Sequence, residues 1–508
     1  DLNRLIDIAV SFIPKTSVIF RMIEDLREWH ARERDWRVAR QQLATHYGYD
    51  KFGGNCHVVP NHGLILHSLL YGDDDFQKTL MIVNTSGWDT DCNSGNVGCL
   101  MGIKNGLAGI DAGPDWRGPV ADRMYLPAAD GGRAITDAVT ETFHVVNLGR
   151  ALAGEERLKP KNGARYHFEL PGAVQGFHPE DSIESRGTAR VANVLGHSKY
   201  GERSLALHFH HVATGRSARV ATATFIPPDA DNMPGYRLLA SPTLYPGQVV
   251  RAGLGAAADN PLAVHCHLYL RAYDAADELV YSYGPDASLS PGEYSELEWL
   301  VGDTHGSPIA EIGLEISSDS RADGTVYLDY LTWDGMPNVT LTRCSDTGRM
   351  WRNAWVDAVD HFSPWGPEPF RLIQNSGTGM LMHGTREWED YRITADVTPH
   401  MVEAAGIAAR VQGLCRYYAL LISKGGKAQL VKVLDGENVW AEEDFAWEAG
   451  KTYELSLEVK GSRLHAWIDG RMIFEKDDLS RPLRSGAIAL VCKEGRTAIH
   501  VVHVRPAD

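Results

Sequence analysis

The chain has 508 residues, of which 44% are hydrophobic, 9% aromatic and 23% charged. At roughly 100–200 residues per domain it is too long for one core and fits about three. Its 66 acidic and 50 basic residues give a formal net charge of -16, which leaves no broad basic face for nucleic-acid phosphates or an anionic bilayer, so neither is an expected partner. The seven cysteines contain no C-x-x-C pair, which argues against a zinc knuckle or a disulfide scaffold. No apolar run approaches the ~18–20 residues of a membrane span, and the opening stretch DLNRLIDIAV has no basic leader. A soluble protein is expected, with cytoplasm and secretion after signal removal both open.

Residues 1 to about 158 read as helical. Leu5, Ile8, Ala9 and Phe12 recur at helical spacing before Pro14, and Val18, Ile19, Met22, Ile23 and Leu26 form the next apolar face. A third helix is predicted from the N-cap Asp35 to the stop at Gly48. Helices over 60–71 and 76–83 follow, the second after the Asp73, Asp74, Asp75 run, where a helix macrodipole favours acidic groups. A small-residue helix over 96–107 and a last one over about 134–151 complete the set, with no strand alternation.

From about residue 165 the apolar period changes to two. Segments beginning at Ser204, Ala218, Ala263 and Thr325 alternate, with Gly, Pro, Asp and Asn between them. A second break lies near Pro337, after which segments at Tyr391, Gly406, Tyr417, Tyr453 and Leu464 repeat the pattern. Strands following helices in this way predict separate domains in series, bounded near 1–158, 159–338 and 339–508.

The densest polar group is Gly87-Trp-Asp-Thr-Asp-Cys-Asn-Ser-Gly95, directly before a helix. Asp89 and Asp91 stand two apart in a non-helical stretch, so both carboxylates can face one point and offer oxygen ligands to a hard cation. Two readings stay open on spacing alone: a cation site, or a helix cap by Asp91 with an Asx turn by Asp89. In FGGNCHVVPNHG, Asn55, His57, Asn61 and His62 are placed to line a sugar pocket, and Trp88 offers a ring to stack on a furanose or to join the core. His208, His210 and His211 alternate on a strand, as a metal cluster or as a solvent face.

The stretch GWDTDCNSGNVGCLMG resembles the C-terminal signature of the ADP-ribosylglycohydrolase family, in which Gly-x-Asp-Thr-Asp-Thr-Asn opens a helix of small residues. The resemblance covers about residues 1–155. It implies an all-helical domain that binds one or two Mg²⁺ ions, with Ca²⁺ as the alternative, to grip the hydroxyls of a sugar. By position, Asp89 and Asp91 match the metal-binding and catalytic aspartates, and Thr90 and Asn93 the spacing residues. Cys92 departs from the family's Thr, and a thiol is a poor ligand for a hard cation. The family's N-terminal Thr-Asp-Asp ligands have no counterpart here, so the helical domain is expected to lack its N-terminal half, which a second polypeptide could supply. The trio at 73–75 follows Gly72 at a helix entrance and reads as a solvated turn.

Residues 159–338 resemble a galactose-binding jelly-roll, through the closing strand Val326-Tyr-Leu-Asp-Tyr-Leu-Thr-Trp and the strand spacing. Residues 339–508 resemble concanavalin-like, laminin-G-like sandwiches, through Trp388-Glu-Asp-Tyr-Arg-Ile-Thr-Ala-Asp-Val, Leu464-His-Ala-Trp-Ile-Asp-Gly and Arg484-Ser-Gly-Ala-Ile-Ala-Leu. Tyr417, Tyr418, Trp440, Trp447 and Trp467 could stack on sugars, though sandwich cores also need such rings. Together the resemblances imply a metal-dependent glycosidase acting on a glycan or furanoside, with accessory carbohydrate-recognising domains. A carboxylate-activated water would attack the anomeric carbon while the cation fixes a cis-diol. The alternatives are an ADP-ribosyl hydrolase acting on protein or a small molecule, and a non-catalytic carbohydrate-binding or surface protein.

Overall fold

The computed structural model describes residues 1–231, 237–363 and 366–508. They form two compact units, 1–120 and 121–508. No helix among the described residues is long and apolar enough to cross a membrane.

The first unit is built from α1 (Leu2–Val10), α2 (Val18–Arg32), α3 (Trp36–Tyr47), α4 (Val58–Tyr71), α5 (Phe76–Thr85) and α6 (Thr90–Ile110). Each of the first five starts on a side-chain cap that takes up an otherwise orphaned N–H: Asp1, Ser17, Asp35, His57 and Asp75. Asp75 is thus a cap, while Asp73 and Asp74 sit in left-handed backbone and pair with Lys78 and Lys104, as a solvated turn requires. The central α4 touches α2, α3, α5 and α6, so it is apolar nearly all round, and Pro60 is tolerated because it falls in the first turn. Met22, Leu26, Leu43, Leu64 and Ile82 are fully buried around it. Gly63 permits that approach, since a Cβ there would lie 2.8 Å from Leu43 Cδ1 and 3.0 Å from Met22 Sδ.

The second unit opens with a hairpin, β1 (Arg123–Tyr125) and β2 (Ile135–Asp137), followed by α7 (Ala138–Leu152). Three-residue strands are too short to register as alternation. Asp137 caps α7 and accepts from the Gln175 amide, and Asp122 accepts from the backbone N–H groups of Val174 and Gln175. The hairpin and helix are thereby tied to the β-structure that follows.

That structure begins as a jelly-roll of two antiparallel five-stranded sheets. The strands are β3 (His178–Pro179), β4 (Ala189–Leu195), β5 (Arg203–Val212), β6 (Ala218–Ala223), β7 (Val249–Ala256), β8 (Val264–Tyr273), β9 (Leu279–Leu289), β10 (Tyr294–Leu300), β11 (Ile309–Ser317) and β12 (Ala322–Asp334). The sheet orders are β10-β7-β12-β5-β4 and β3-β6-β11-β8-β9. Inward residues of both, among them Leu205, Leu207, Leu254, Leu268, Ile312 and Leu328, form one core. A buried ion pair ties the entry segment to this domain: Lys161 Nζ donates to Asp329 Oδ1 at 2.7 Å with both side chains fully buried.

The last domain runs through β13 (Val339–Leu341), β14 (Val356–Ala358), β15 (His361–Ser363), β16 (Phe370–His383), β17 (Tyr391–Val411), β18 (Arg416–Ser423), β19 (Lys427–Leu434), β20 (Glu437–Asp444), β21 (Tyr453–Lys460), β22 (Arg463–Ile468), β23 (Arg471–Asp477) and β24 (Ala487–Pro506). All twelve join one antiparallel sheet. The segments expected as separate strands at 391 and 406 are one strand, β17, which pairs with β21 over its first part and with β18 over its second. Register shifts at Ala395/Val397, Pro399/Val402 and Ala408/Val411 bend it against β24. The sheet thereby encloses a core containing Phe370, Trp388, Tyr391, Tyr418, Leu455 and Leu490. The fold class is therefore helices followed by two β-sandwich domains.

Candidate active site

The site lies at the start of α6. Gly87, Trp88 and Asp89 are three consecutive residues with left-handed φ values of 74°, 57° and 52°. Glycine adopts this freely and aspartate at little cost, whereas the tryptophan costs roughly 1–2 kcal/mol. Asn93 holds the turn: it is buried in the first helical turn, and its Nδ2 donates to the Trp88 carbonyl at 2.8 Å. Asp89 occupies the N-cap position but makes no side-chain cap bond. Its carboxylate is free to face Asp91, whose charge the α6 N-terminus favours.

A polar relay reaches Asp89 from α4. Tyr49, just past the end of α3, donates its hydroxyl to Asn61 Oδ1 at 2.8 Å and to the Asn55 carbonyl. Asn61 Nδ2 in turn donates to Asp89 Oδ2 at 2.5 Å. Asn61 is buried and both ends of its amide are taken up, so it orients Asp89. The Tyr49 ring stacks on Trp88 with centroids 5.1 Å apart, and the Arg40 guanidinium lies 4.3 Å from the Trp88 centroid while Nε donates to the Ser86 carbonyl. Trp88 is thus a half-buried clamp on the strained turn.

Of the other residues expected here, Asn55 is exposed and His57 serves as the α4 cap. His62 is half-buried on α4, and burial lowers its pKa, so it stays neutral at neutral pH. Partial burial and then the negative charge of Asp89 raise the pKa of Tyr49. Tyr49 and Arg40 carry no signal in the sequence, because their partners lie 12 and 46 positions away.

Ligand atoms of Asp89, Asp91 and Cys92 lie within 4.8 Å of one another, and this is the one such group of three or more found among the described residues. The strand histidines form none: His208 Nδ1 bonds Thr325, and His211 lies beside Asp323 and Arg321. Two carboxylates suit a hard divalent cation, whereas a sulfur at the third position does not. The Cys92 thiol is raised first by its hydrogen bond to Asp89, and the Cys56 thiol first by desolvation and then by the Asp89 charge.

In the last domain the aromatic residues divide. Tyr418 is buried with its hydroxyl on Asp478, Tyr417 is buried, and Trp447 Nε1 donates to the Ser423 carbonyl, so these three rings serve the sandwich. Trp440 packs partly buried on the core. Trp467 instead lines a groove of about 530 Å³ with Thr394, Glu454, Ser456 and His503, under the Arg392 guanidinium 4.5 Å from its ring centroid.

No curated protein matches the chain. Among solved structures it is similar to the carbohydrate-binding module CBM66 from Bacillus subtilis, at 18% identity over 30% of this chain and 94% of that chain, with a TM-score of 0.28. A xylan-binding CBM22 domain from Paenibacillus barcinonensis follows at 14% identity over 34% and 97%, TM-score 0.24. A galectin from Caenorhabditis elegans gives 13% over 28% and 94%, TM-score 0.21. At these TM-scores the likenesses carry no argument about the chain. At the other end of the chain, residues 1–148, which include the Asp89–Asp91 turn, match the family model described as ADP-ribosylglycohydrolase.

Proposed function

We propose that the protein is a metal-dependent hydrolase of glycosyl bonds, with its cation centre at Asp89 and Asp91 and its β-domains serving carbohydrate recognition. The observation that carries this reading is the convergence of two carboxylates on a strained turn, with Asn61 and Tyr49 fixing the first of them. Such an arrangement costs stability in the absence of a ligand, and a bound cation would offset that cost.

A divalent cation held there would supply a fixed grip on adjacent sugar hydroxyls, which is chiefly orientation. Asn61 fixes the Asp89 oxygen that faces it, leaving the other available. In this reading the exposed Asn55 and the neutral His62 would hydrogen-bond sugar hydroxyls. Asp89 and Asp91 are too few to hold a hard cation and also supply a general acid and base, so further carboxylates must complete the centre. We propose that a segment or second polypeptide carrying a Thr-Asp-Asp motif supplies them.

The substrate reading is a glycan or furanoside, because two β-sandwich domains accompany the helical unit. The family match over residues 1–148 supports the second reading, an ADP-ribosyl hydrolase. Aryl furanosides and ADP-ribosyl peptides, assayed side by side with the same divalent cation, separate the two. Turnover of peptides alone would overturn the glycan reading. No turnover of either, with or without a co-purifying partner, would favour a purely carbohydrate-binding protein.

A further inference from the structure

In the last domain Thr340, His503, Thr394, Ser456 and Trp467 stand on the adjacent strands β13, β24, β17, β21 and β22, and each is the direct cross-strand partner of the next. Their chain neighbours Val339, Val504, Ile393, Leu455 and Ala466 lie in the core, so alternation turns the whole row to the outer face of the sheet. The row is short in its middle and walled on both sides. Arg505 and Arg392, opposite each other one step along the strands, form one wall, and the exposed Glu454 stands on the other. The groove of about 530 Å³ that these residues line therefore runs across the strands, not along them. At about 4.8 Å between neighbouring strands, its five strands give a length of about 19 Å.

We propose that this groove binds an uncharged, extended oligosaccharide, with one sugar ring packed against Trp467 and the hydroxyls of the following rings bonded to the polar row. This rests on the carbohydrate-recognition reading given above, to which it adds a site, a length and a charge. The row is built for hydroxyls. Thr394 and Ser456 share one hydrogen bond of 2.6 Å, and Thr340 Oγ1 lies 3.0 Å from His503 Nδ1, so each pair keeps donors and acceptors for a ligand. Trp467 is half-buried and held in advance: the Arg392 guanidinium lies 4.5 Å from its ring centroid, and Arg392 Nε donates to the buried Glu458 at 2.8 Å. Arg392 is further offset by Asp508, 3.0 Å away, and Arg505 has Glu454 across the groove, so no cationic surplus is left for a phosphate, sulfate or uronate. An extended peptide would need an open sheet edge, and β24, β17, β21 and β22 are all paired on both sides.

The test uses the full chain in affinity electrophoresis through gels containing arabinoxylan, mixed-linkage β-glucan, galactan or levan, with polygalacturonate as the acidic comparison. Oligosaccharides of increasing length from the retarding polysaccharide are then titrated calorimetrically. The variants are Trp467→Ala and Thr394→Val, with melting curves to check folding; Thr394→Val keeps the side-chain size and decides the case if Trp467→Ala fails to fold. The expected result is retardation by a neutral polysaccharide and none by polygalacturonate, with affinity rising with chain length until about 19 Å is filled. Trp467→Ala should weaken binding by roughly tenfold or more, and Thr394→Val severalfold. Neutral-glycan binding undiminished in both variants, or a preference for polygalacturonate, would overturn this inference and leave carbohydrate recognition standing elsewhere in the chain. No retardation of wild type in any gel would overturn both.

Discussion

The substitution Asp89→Asn separates a ligand-binding role for this residue from a structural one by the sign of its effect on stability. Asparagine keeps the shape, tolerates the left-handed backbone at φ 52° and ψ 52°, and removes only the charge. If the carboxylate served the fold by capping α6, asparagine would keep the side-chain cap and lose only the charge favoured by the helix N-terminus, a cost of up to about 1 kcal/mol. It makes no such cap bond, and instead stands within 4.8 Å of the Asp91 carboxylate. Two unit charges 4.8 Å apart repel by about 0.9 kcal/mol in a water-like dielectric, the weak limit for an exposed Asp91 beside a half-buried Asp89. The charge also strengthens the hydrogen bond from Asn61, whose partial loss subtracts from the gain. The metal-free protein should therefore be unchanged or more stable by up to about 1 kcal/mol, a rise of at most a few degrees in melting temperature. The difference should shrink as salt screens the pair. Thermal melts of wild type and variant in chelator, at low and high salt, followed by the same melts with added Mg²⁺ or Ca²⁺, give both halves of the comparison. Wild type should gain stability with cation and the variant should not. A variant destabilised by about 1 kcal/mol in chelator that still responds to cation would refute the reasoning.

Three further outcomes follow from the packing. His67 is fully buried with Nε2 on the Trp36 carbonyl and no partner at Nδ1, and burial lowers its pKa from 6.5 to about 4. The unfolded chain accepts a proton below about pH 6.5 that the folded one refuses until about pH 4, so stability is intact above 6.5 and falls by about 3 kcal/mol across that window; urea midpoints of His67→Gln should lose this part of the pH slope. Lys161→Met leaves the Asp329 carboxylate buried without its cation and should cost about 3–5 kcal/mol, with Lys161→Met/Asp329→Leu recovering much of it in denaturant titrations. Gly63→Ala places a methyl 2.8 Å from Leu43 and should destabilise by about 1–3 kcal/mol in the same assay, although alanine is intrinsically the better helix former by about 1 kcal/mol.

What the sequence disclosed is what local chemistry encodes. The cap Asp35, the stop at Gly48, the helix start after the acidic run at 73–75 and the apolar face of α2 depend on residues within a turn or two of one another, and all are present in the structure, where Asp75 proves to be a cap. The change of period near residue 165 marked the approach of the sandwich strands, though not the short β1–β2 hairpin before it, because alternation is also local. The Asp89–Asp91 turn was legible as a motif. Its support was not: Tyr49, Asn61 and Asp89 meet only because α3, α4 and α6 pack, and nothing in GWDTDC announces left-handed backbone at a tryptophan. The bulges that make 391–411 one bent strand, and the Lys161–Asp329 pair 168 residues apart, are set by sheet closure rather than by neighbours in the chain.

The central claim is that Asp89 and Asp91 hold a cation. The most direct measurement is the metal content of the purified full chain by elemental analysis, compared with Asp89→Ala/Asp91→Ala prepared alongside. Close to one divalent ion per wild-type chain, absent from the double variant, is the predicted result. Equal metal content in the two proteins would contradict the account.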